Sequence, residues 1–235
     1  MSIKNIFTEA INREKTIGDL LETWDSKVVD GVHRGDLWAE KADITSLKGS
    51  PNIVDGDFVI SRNPKIKSLE HCPEEIDGDF LAKECGYTSL KFGPLIVKGH
   101  FNVNSNKIGS LIGSPRFVGR SFEAENCGLT SLEGISKSIG EDGDKKHTTI
   151  ILTNNKLTNL KGIHKHLEYC KGVILFQQNP INSHILGLLK IKNLQGVVFT
   201  DNSLTDIINK YLPEGNLLGC QQELIDAGFE DFAQL

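Results

Sequence analysis

A phenylalanine and a leucine return through this chain at an almost fixed interval, which elements of unequal length in an ordinary globular fold would not impose. Leu47, Leu69, Leu90, Leu111 and Leu132 follow one another at 22, 21, 21 and 21 residues, and Phe58, Phe80, Phe101 and Phe122 keep step with them. A short constant period gives each repeat the same place in a stack, where it buries its apolar side chains against two neighbours and cannot be stable alone. The 235 residues therefore predict one elongated solenoid rather than the one or two globular domains that length alone suggests.

With the phenylalanine column as position zero, the register reaches back to Leu37 and forward through Ile150, Ile174 and Val197, which predicts about eight turns. Position +2 is Ala39, Ile60, Ala82, Val103, Ala124, Leu152, Phe176 and Phe199, all apolar, and this alternation predicts a short strand with one buried face. Position +7 is held by Ile44, Tyr87, Ile108, Leu129, Leu157, Ile181 and Leu204, with Ile66 serving the slightly longer second turn. Position +5 reads Ala42, Asn63, Cys85, Asn106, Cys127, Asn155, Asn179 and Asn202. Backbone leaving a strand inside a stack cannot stay unpaired, and an Asn amide offers it both a donor and an acceptor. Cys tolerates burial and donates weakly. Cys85 and Cys127 are therefore assigned to the interior, not to a metal pair or a nucleophile.

The runs Phe-x-Ala-x-x-Cys-x-Leu at 122–129, Ile-x-Leu-x-x-Asn-x-Leu at 150–157 and Val-x-Phe-x-x-Asn-x-Leu at 197–204 resemble the core of a leucine-rich repeat, L-x-L-x-x-N/C-x-L. The resemblance spans residues 32–208. Three residues before the strand, however, Asp55, Asp77, Lys98 and Gly119 replace the usual Leu, while Val54, Ile76, Val97 and Val118 stand one residue earlier. Pro51, Pro73, Pro94 and Pro115 lie seven residues before the next strand, leave little room for a helix and favour extended or polyproline II backbone on the convex side. The chain is thus similar to the short leucine-rich repeats of bacterial and tailed-phage proteins, which the phrases Ile44-Thr45-Ser46-Leu47-Lys48-Gly49 and Leu129-Thr130-Ser131-Leu132-Glu133-Gly134 also resemble. That resemblance implies a phage-encoded protein acting on a host factor.

Residues 1–31 leave the pattern: Ile6, Phe7, Ala10 and Ile11, then Ile17, Leu20, Leu21 and Trp24, follow helical spacing, and Thr16 with Asp19 forms a capping box. Residues 209–235 do so too, with Tyr211 and Leu212 and then Leu224, Ile225, Phe229, Phe232 and Leu235 on either side of Pro213-Glu214-Gly215. Both segments are expected to be helical caps around a solenoid at 32–208, because terminal turns would otherwise expose their core. The turn after Leu132 is seven residues longer than its predecessor, an insertion placed in Ser136 to His147 and read as an exposed loop. Its carboxylates lack the spacing of a calcium loop. His164 and His166 invite a zinc reading, but they are two residues apart and further ligands are missing. Cys170 falls in the buried column of Val54 and Val118.

Net charge is −5, which argues against a dedicated nucleic-acid binder. Five cysteines without paired spacing fit a reducing compartment. No apolar run spans a bilayer and the first residues lack a secretory signal, so the expectation is a cytoplasmic protein without membrane contact. No nucleophile, phosphate-loop, zinc or dinucleotide motif is present. The chain is therefore expected to be a non-catalytic protein without a cofactor, binding a protein partner through the concave face. Positions +1, +3 and +4 are expected to point from that face. The candidate residues are Trp38, Lys41, Val59, Arg62, Leu81 and Lys83, with the acidic Glu123 and Glu125 at the centre. Trp38 and Arg62 are the expected anchors, since aromatic and Arg side chains dominate binding hot spots. The alternative is a small-ligand or nucleotide-sequestering protein, with Lys41, Arg62 and Lys83 receiving an anion.

Overall fold

The computed structural model describes residues 14–141 and 148–235. Its turns stack as a β-solenoid, and each but the last contributes two short strands to two sheets of parallel strands. The first sheet contains β2 (Val32–Arg34), β4 (Ile53–Asp55), β6 (Glu75–Ile76), β8 (Ile96–Val97), β10 (Phe117–Val118), β12 (Ser138–Ile139) and β14 (Tyr169–Cys170), and β1 (Val28–Val29) pairs antiparallel with the edge of β2. The second contains β3 (Leu37–Trp38), β5 (Phe58–Val59), β7 (Phe80–Leu81), β9 (Phe101–Asn102), β11 (Phe122–Glu123), β13 (Thr149–Ile151), β15 (Val173–Leu175) and β16 (Gly196–Val198). Leu37, Phe58, Phe80, Phe101, Phe122, Ile150, Ile174 and Val197 are ladder partners in succession, the register that the repeat specified.

The first sheet is where the architecture departs from the expected extended or polyproline II return. Val54, Ile76, Val97, Val118, Ile139 and Cys170 are its buried column. The buried prolines Pro51, Pro73, Pro94 and Pro115 stand just ahead of its strands, where their missing N–H costs the ladder nothing. In later turns that lack the proline, the same side holds α2 (Ile163–His166) and a 3-10 turn (Leu186–Lys190).

A tight corner joins the two sheets. It is built from Gly35-Asp36, Gly56-Asp57 and Gly78-Asp79 in the early turns. A β-carbon on Gly56 would lie 2.4 Å from the Gly35 carbonyl carbon, and one on Gly78 2.6 Å from that of Gly56, so stacking corners at strand spacing requires glycine. The next side chain then ties each turn to its successor. Asp36 Oδ1 accepts the Asp57 N–H (2.9 Å), Asp57 Oδ1 that of Asp79 (2.7 Å) and Asp79 Oδ1 that of His100 (2.7 Å). His100 Nδ1 accepts from Ser121 (3.3 Å), and Ser121 Oγ from Thr149 (3.1 Å).

The interior carries two further ladders. Ring centroids of Phe58, Phe80, Phe101 and Phe122 are 6.1, 5.4 and 5.1 Å apart in succession, so the aromatic column stacks along the solenoid axis. At position +5, Asn106 Nδ2 donates to the Ala82 carbonyl of the preceding turn (2.9 Å) and the Val103 carbonyl of its own (2.8 Å), while Oδ1 accepts the Cys85 N–H (2.9 Å). Asn63, Asn155 and Asn179 repeat this pattern against Ala39, Ala124 and Leu152. Where cysteine stands instead, its thiol donates to the equivalent carbonyl: Cys85 to Ile60 (3.2 Å) and Cys127 to Val103 (3.3 Å).

Before the first full turn, α1 (Ile17–Thr23) is opened by the reciprocal Thr16–Asp19 capping box and buries Ile17, Leu20 and Leu21. The residues Ile6, Phe7, Ala10 and Ile11 lie outside the described residues. The insertion follows Ile139, which keeps register with Val118, and most of its tip, Gly140 to Lys146, also lies outside them. At the far end the repeat breaks earlier than its pattern suggests. Asp201 accepts from Ser203 and Leu204 and opens α3 (Asn202–Tyr211), so Asn202 is an exposed helical residue and not a rung of the ladder. Leu204, Ile207 and Ile208 face the core, and Asn209 pairs the open edge of β16, accepting the Val197 N–H (2.8 Å) and donating to its carbonyl (2.9 Å). A second helix, α4 (Leu217–Asp226), follows after Pro213-Glu214-Gly215. No helix among the described residues is long and apolar enough to cross a membrane.

Candidate functional site

The outward row of the second sheet begins at Trp38, 55% exposed at the edge strand β3. Val59, its ladder neighbour, is only 2% exposed between Trp38 and Leu81, so it supports the row from beneath and offers almost no surface. Leu81, Asn102, Glu123, Ile151, Leu175 and Val198 continue the row half-buried.

The strands stop sooner than alternation implies, and position +4 belongs to a turn. Lys41, Arg62, Glu84, Ser105, Asn126, Asn154 and Gln178 all have left-handed backbone, with φ between 54° and 60°. The chain bends there so that the next side chain, at +5, enters the core. Lys41 and Arg62 therefore rim the sheet, whereas Lys83, at +3, is half-buried beside Ser61, whose Oγ accepts the Lys83 N–H.

Charge on this rim is balanced within it. The Arg62 guanidinium meets Glu40 Oε1 at 2.8 Å and Glu84 Oε2 at 3.5 Å, carboxylates from the turns on either side. Placed between two acids, its charge is balanced locally, which weakens its pull on a free anion. Glu40 and Glu84 are neighbours of Arg62 that residue-type reading passes over, although each is 22 residues from it, one turn of the repeat. In the middle, Glu123 Oε2 accepts from Asn102 Nδ2 (2.6 Å) and Asn104 Nδ2 (3.1 Å), and Asn104 Oδ1 accepts the Glu125 N–H (2.7 Å). This is a polar, pre-ordered patch with Glu125 half-buried beside it.

Thiol chemistry has poor footing here. Burial pushes the thiols of Cys85, Cys127 and Cys220 up to about 11 and that of Cys170 up to about 12, and burial raises Cys72 as well. A thiol that high holds almost no thiolate near neutral pH. His164 and His166 sit on the single turn of α2; His164 is lowered by burial, with Lys190 and Lys165 adding repulsion. Among the described residues no group of three or more His, Cys, Asp or Glu side chains could hold a metal ion. Comparison with protein-family models, curated proteins and solved structures finds no match.

Proposed function

We propose that this protein is a non-catalytic binding module of leucine-rich-repeat type. In this reading its terminal helices serve as caps, and it docks a protein partner on the outward row of the second sheet. Trp38 carries the proposal. It is a large aromatic side chain, more than half exposed on the edge strand, two residues before Glu40, whose carboxylate holds Arg62. Amphipathic, pre-ordered side chains of this kind lose little entropy on binding, which suits them as anchors. The half-buried Leu81 and the Glu123 and Glu125 patch would extend the contact, with Lys41 and Lys83 at its rim. If the chain is phage-encoded, as its repeat style suggests, the partner is a host protein met in the cytoplasm. The anion-sequestering reading is disfavoured by Glu40 and Glu84, which satisfy Arg62.

The test is affinity purification from the native host with wild type and with Trp38→Ala/Arg62→Ala, followed by titration of each purified candidate. A specific partner whose affinity falls at least tenfold in the double variant, with circular dichroism unchanged, supports the reading. Undiminished binding by the variant sinks it.

A further inference from the structure

The first-sheet side carries three columns that are polar or glycine in nearly every turn, and each is broken by a large apolar residue within the same two turns. Along one column stand Lys48, Glu70, Lys91, Ile112, Glu133 and Lys161; along the next, Gly49, His71, Phe92, Gly113, Gly134 and Gly162. A third reads Asn52, Glu74, Leu95, Arg116, Lys137 and Glu168. Ile112, Phe92 and Leu95 are thus the sole large apolar members of their columns, and they lie in adjacent turns. They are 57%, 57% and 45% exposed, with Ile96 beside them at 36%. A contiguous apolar patch framed by charge marks an interaction surface.

The backbone at Phe92 strengthens the point. Its φ is +68°, shared by His71 one turn earlier, in the left-handed region that Gly49, Gly113, Gly134 and Gly162 adopt in the same column at 70° or more. A bulky apolar ring is disfavoured there. Phe92 stays more than half exposed all the same. Its ring is open to solvent, with Lys91 Nζ 5.0 Å from the ring centre.

The charges flanking Leu95 identify what covers the patch. In its column Glu74 precedes it by one turn and Arg116 follows by one turn. Both are exposed, and neither makes an ion pair among the described residues. An acid and a base placed symmetrically about an apolar centre are self-complementary under twofold rotation. We infer that this face joins two copies of the chain in an antiparallel dimer, with the twofold axis lying along the turn of Leu95. Leu95 then meets Leu95 of the second copy, Glu74 meets its Arg116, and Arg116 its Glu74. The same operation sets Lys48 against Glu133 and Glu70 against Ile112. Lys91 approaches its own counterpart, a repulsion that the Glu74–Arg116 and Lys48–Glu133 pairs must outweigh. This surface is separate from the Trp38 row, so the dimer stands or falls independently of the proposed partner site.

Sedimentation equilibrium of the full-length chain at micromolar concentrations tests the inference. The expected result is a monomer–dimer equilibrium that Leu95→Glu, which sets two like charges on the axis, shifts at least tenfold toward monomer with circular dichroism retained. Glu74→Arg and Arg116→Glu are each expected to weaken association about tenfold, and the double exchange to restore it to within about threefold, since opposite charges across an interface set its register. A wild-type monomer at ~100 µM would overturn the proposal, as would a dimer indifferent to Leu95→Glu, or charge exchanges that add instead of cancelling. Phe92→Gly supplies a variant expected to fold, because four of the six residues of this column are glycine. It should weaken the dimer, and an undiminished dimer would count against the assignment.

Discussion

Asn106 joins two turns through a single amide, and its replacement measures what the ladder contributes. Its donor hydrogens serve the Ala82 and Val103 carbonyls and its oxygen serves the Cys85 N–H, all in the interior. Truncation to alanine would strand these groups, at roughly 1–3 kcal/mol for each one left unpaired. Asn106→Ala is expected to lose about 3 kcal/mol or more in urea denaturation. Asn106→Cys should lose less, because Cys85 and Cys127 already fill the same position through a thiol–carbonyl bond. Phe92 behaves in the opposite sense. Phe92→Gly should raise the stability of the monomer, measured in the Leu95→Glu background, by about 1 kcal/mol as left-handed strain is relieved. The cysteines make a third case: with thiols held near 11 or above, Cys127, Cys170 and Cys220 should resist disulfide-exchange reagents at pH 8 in the native protein and react only as it unfolds. A fast native reaction at any of them would contradict their placement. The asparagine column is legible in the sequence because few residue types can do its work. The parallel ladder of Asp36, Asp57, Asp79, His100 and Ser121 is not, since any side-chain acceptor suffices and identity drifts while the role stays. Its one visible signal is the glycine that precedes it in most turns.

At the scale of elements, the corner between the sheets decides the shape of each turn. A β-carbon at Gly78 would fall 2.2 Å from Asp57 Oδ1 and 2.6 Å from Gly56 backbone. Neither atom can retreat without breaking the acceptor ladder, so Gly78→Ala should cost about 2 kcal/mol or more, the range of overpacking in a closed site. Gly35→Ala is the informative control, since nothing lies within 4 Å of its β-carbon and only its φ of 82° opposes the change. A smaller loss there than at Gly78 is expected from parallel thermal melts. Sequence reading finds the valine column of the first sheet and the prolines before it, and assigns them an extended or polyproline II return without the sheet. Two-residue strands carry too little alternation to announce themselves, and what makes Ile53–Asp55 a strand is the neighbouring turn. The same limit explains the rim: the left-handed backbone at Lys41, Arg62 and Glu84 leaves little compositional trace, because the polar residues that occupy it are those of any surface turn. At the last turn, Asn202 has the right identity for the ladder, but Asp201 caps a helix and overrides it.

The whole molecule is close to one-dimensional, because each turn bonds chiefly to the turns before and after it through the same three ladders. Its two ends differ. Asn209 closes the edge of β16, while Trp38 stands on the edge strand β3 at the other end. In such a stack the free energy is nearly a sum of turn and interface contributions, and a turn from the middle can be repeated without disturbing either end. Residues 101–121 make a suitable unit. Phe101 opens a turn, Asn106 supplies a rung, Pro115 precedes the first-sheet strand and Ser121 supplies the corner acceptor. Placing a second copy directly after Ser121 sets Phe101 of the copy on Phe101 of the original at ladder spacing. It also sets Asn106 against Asn106, a succession that Asn155 and Asn179 already form, with Leu157 N–H donating to Asn179 and both amides donating to the Leu152 carbonyl. The lengthened chain should fold, keep its circular dichroism per residue, and unfold with a larger denaturant dependence in proportion to the added buried surface. Its midpoint should be no lower than that of wild type. A lowered midpoint or a separate early transition would mean that the turns are not interchangeable and that the core depends on contacts beyond nearest neighbours.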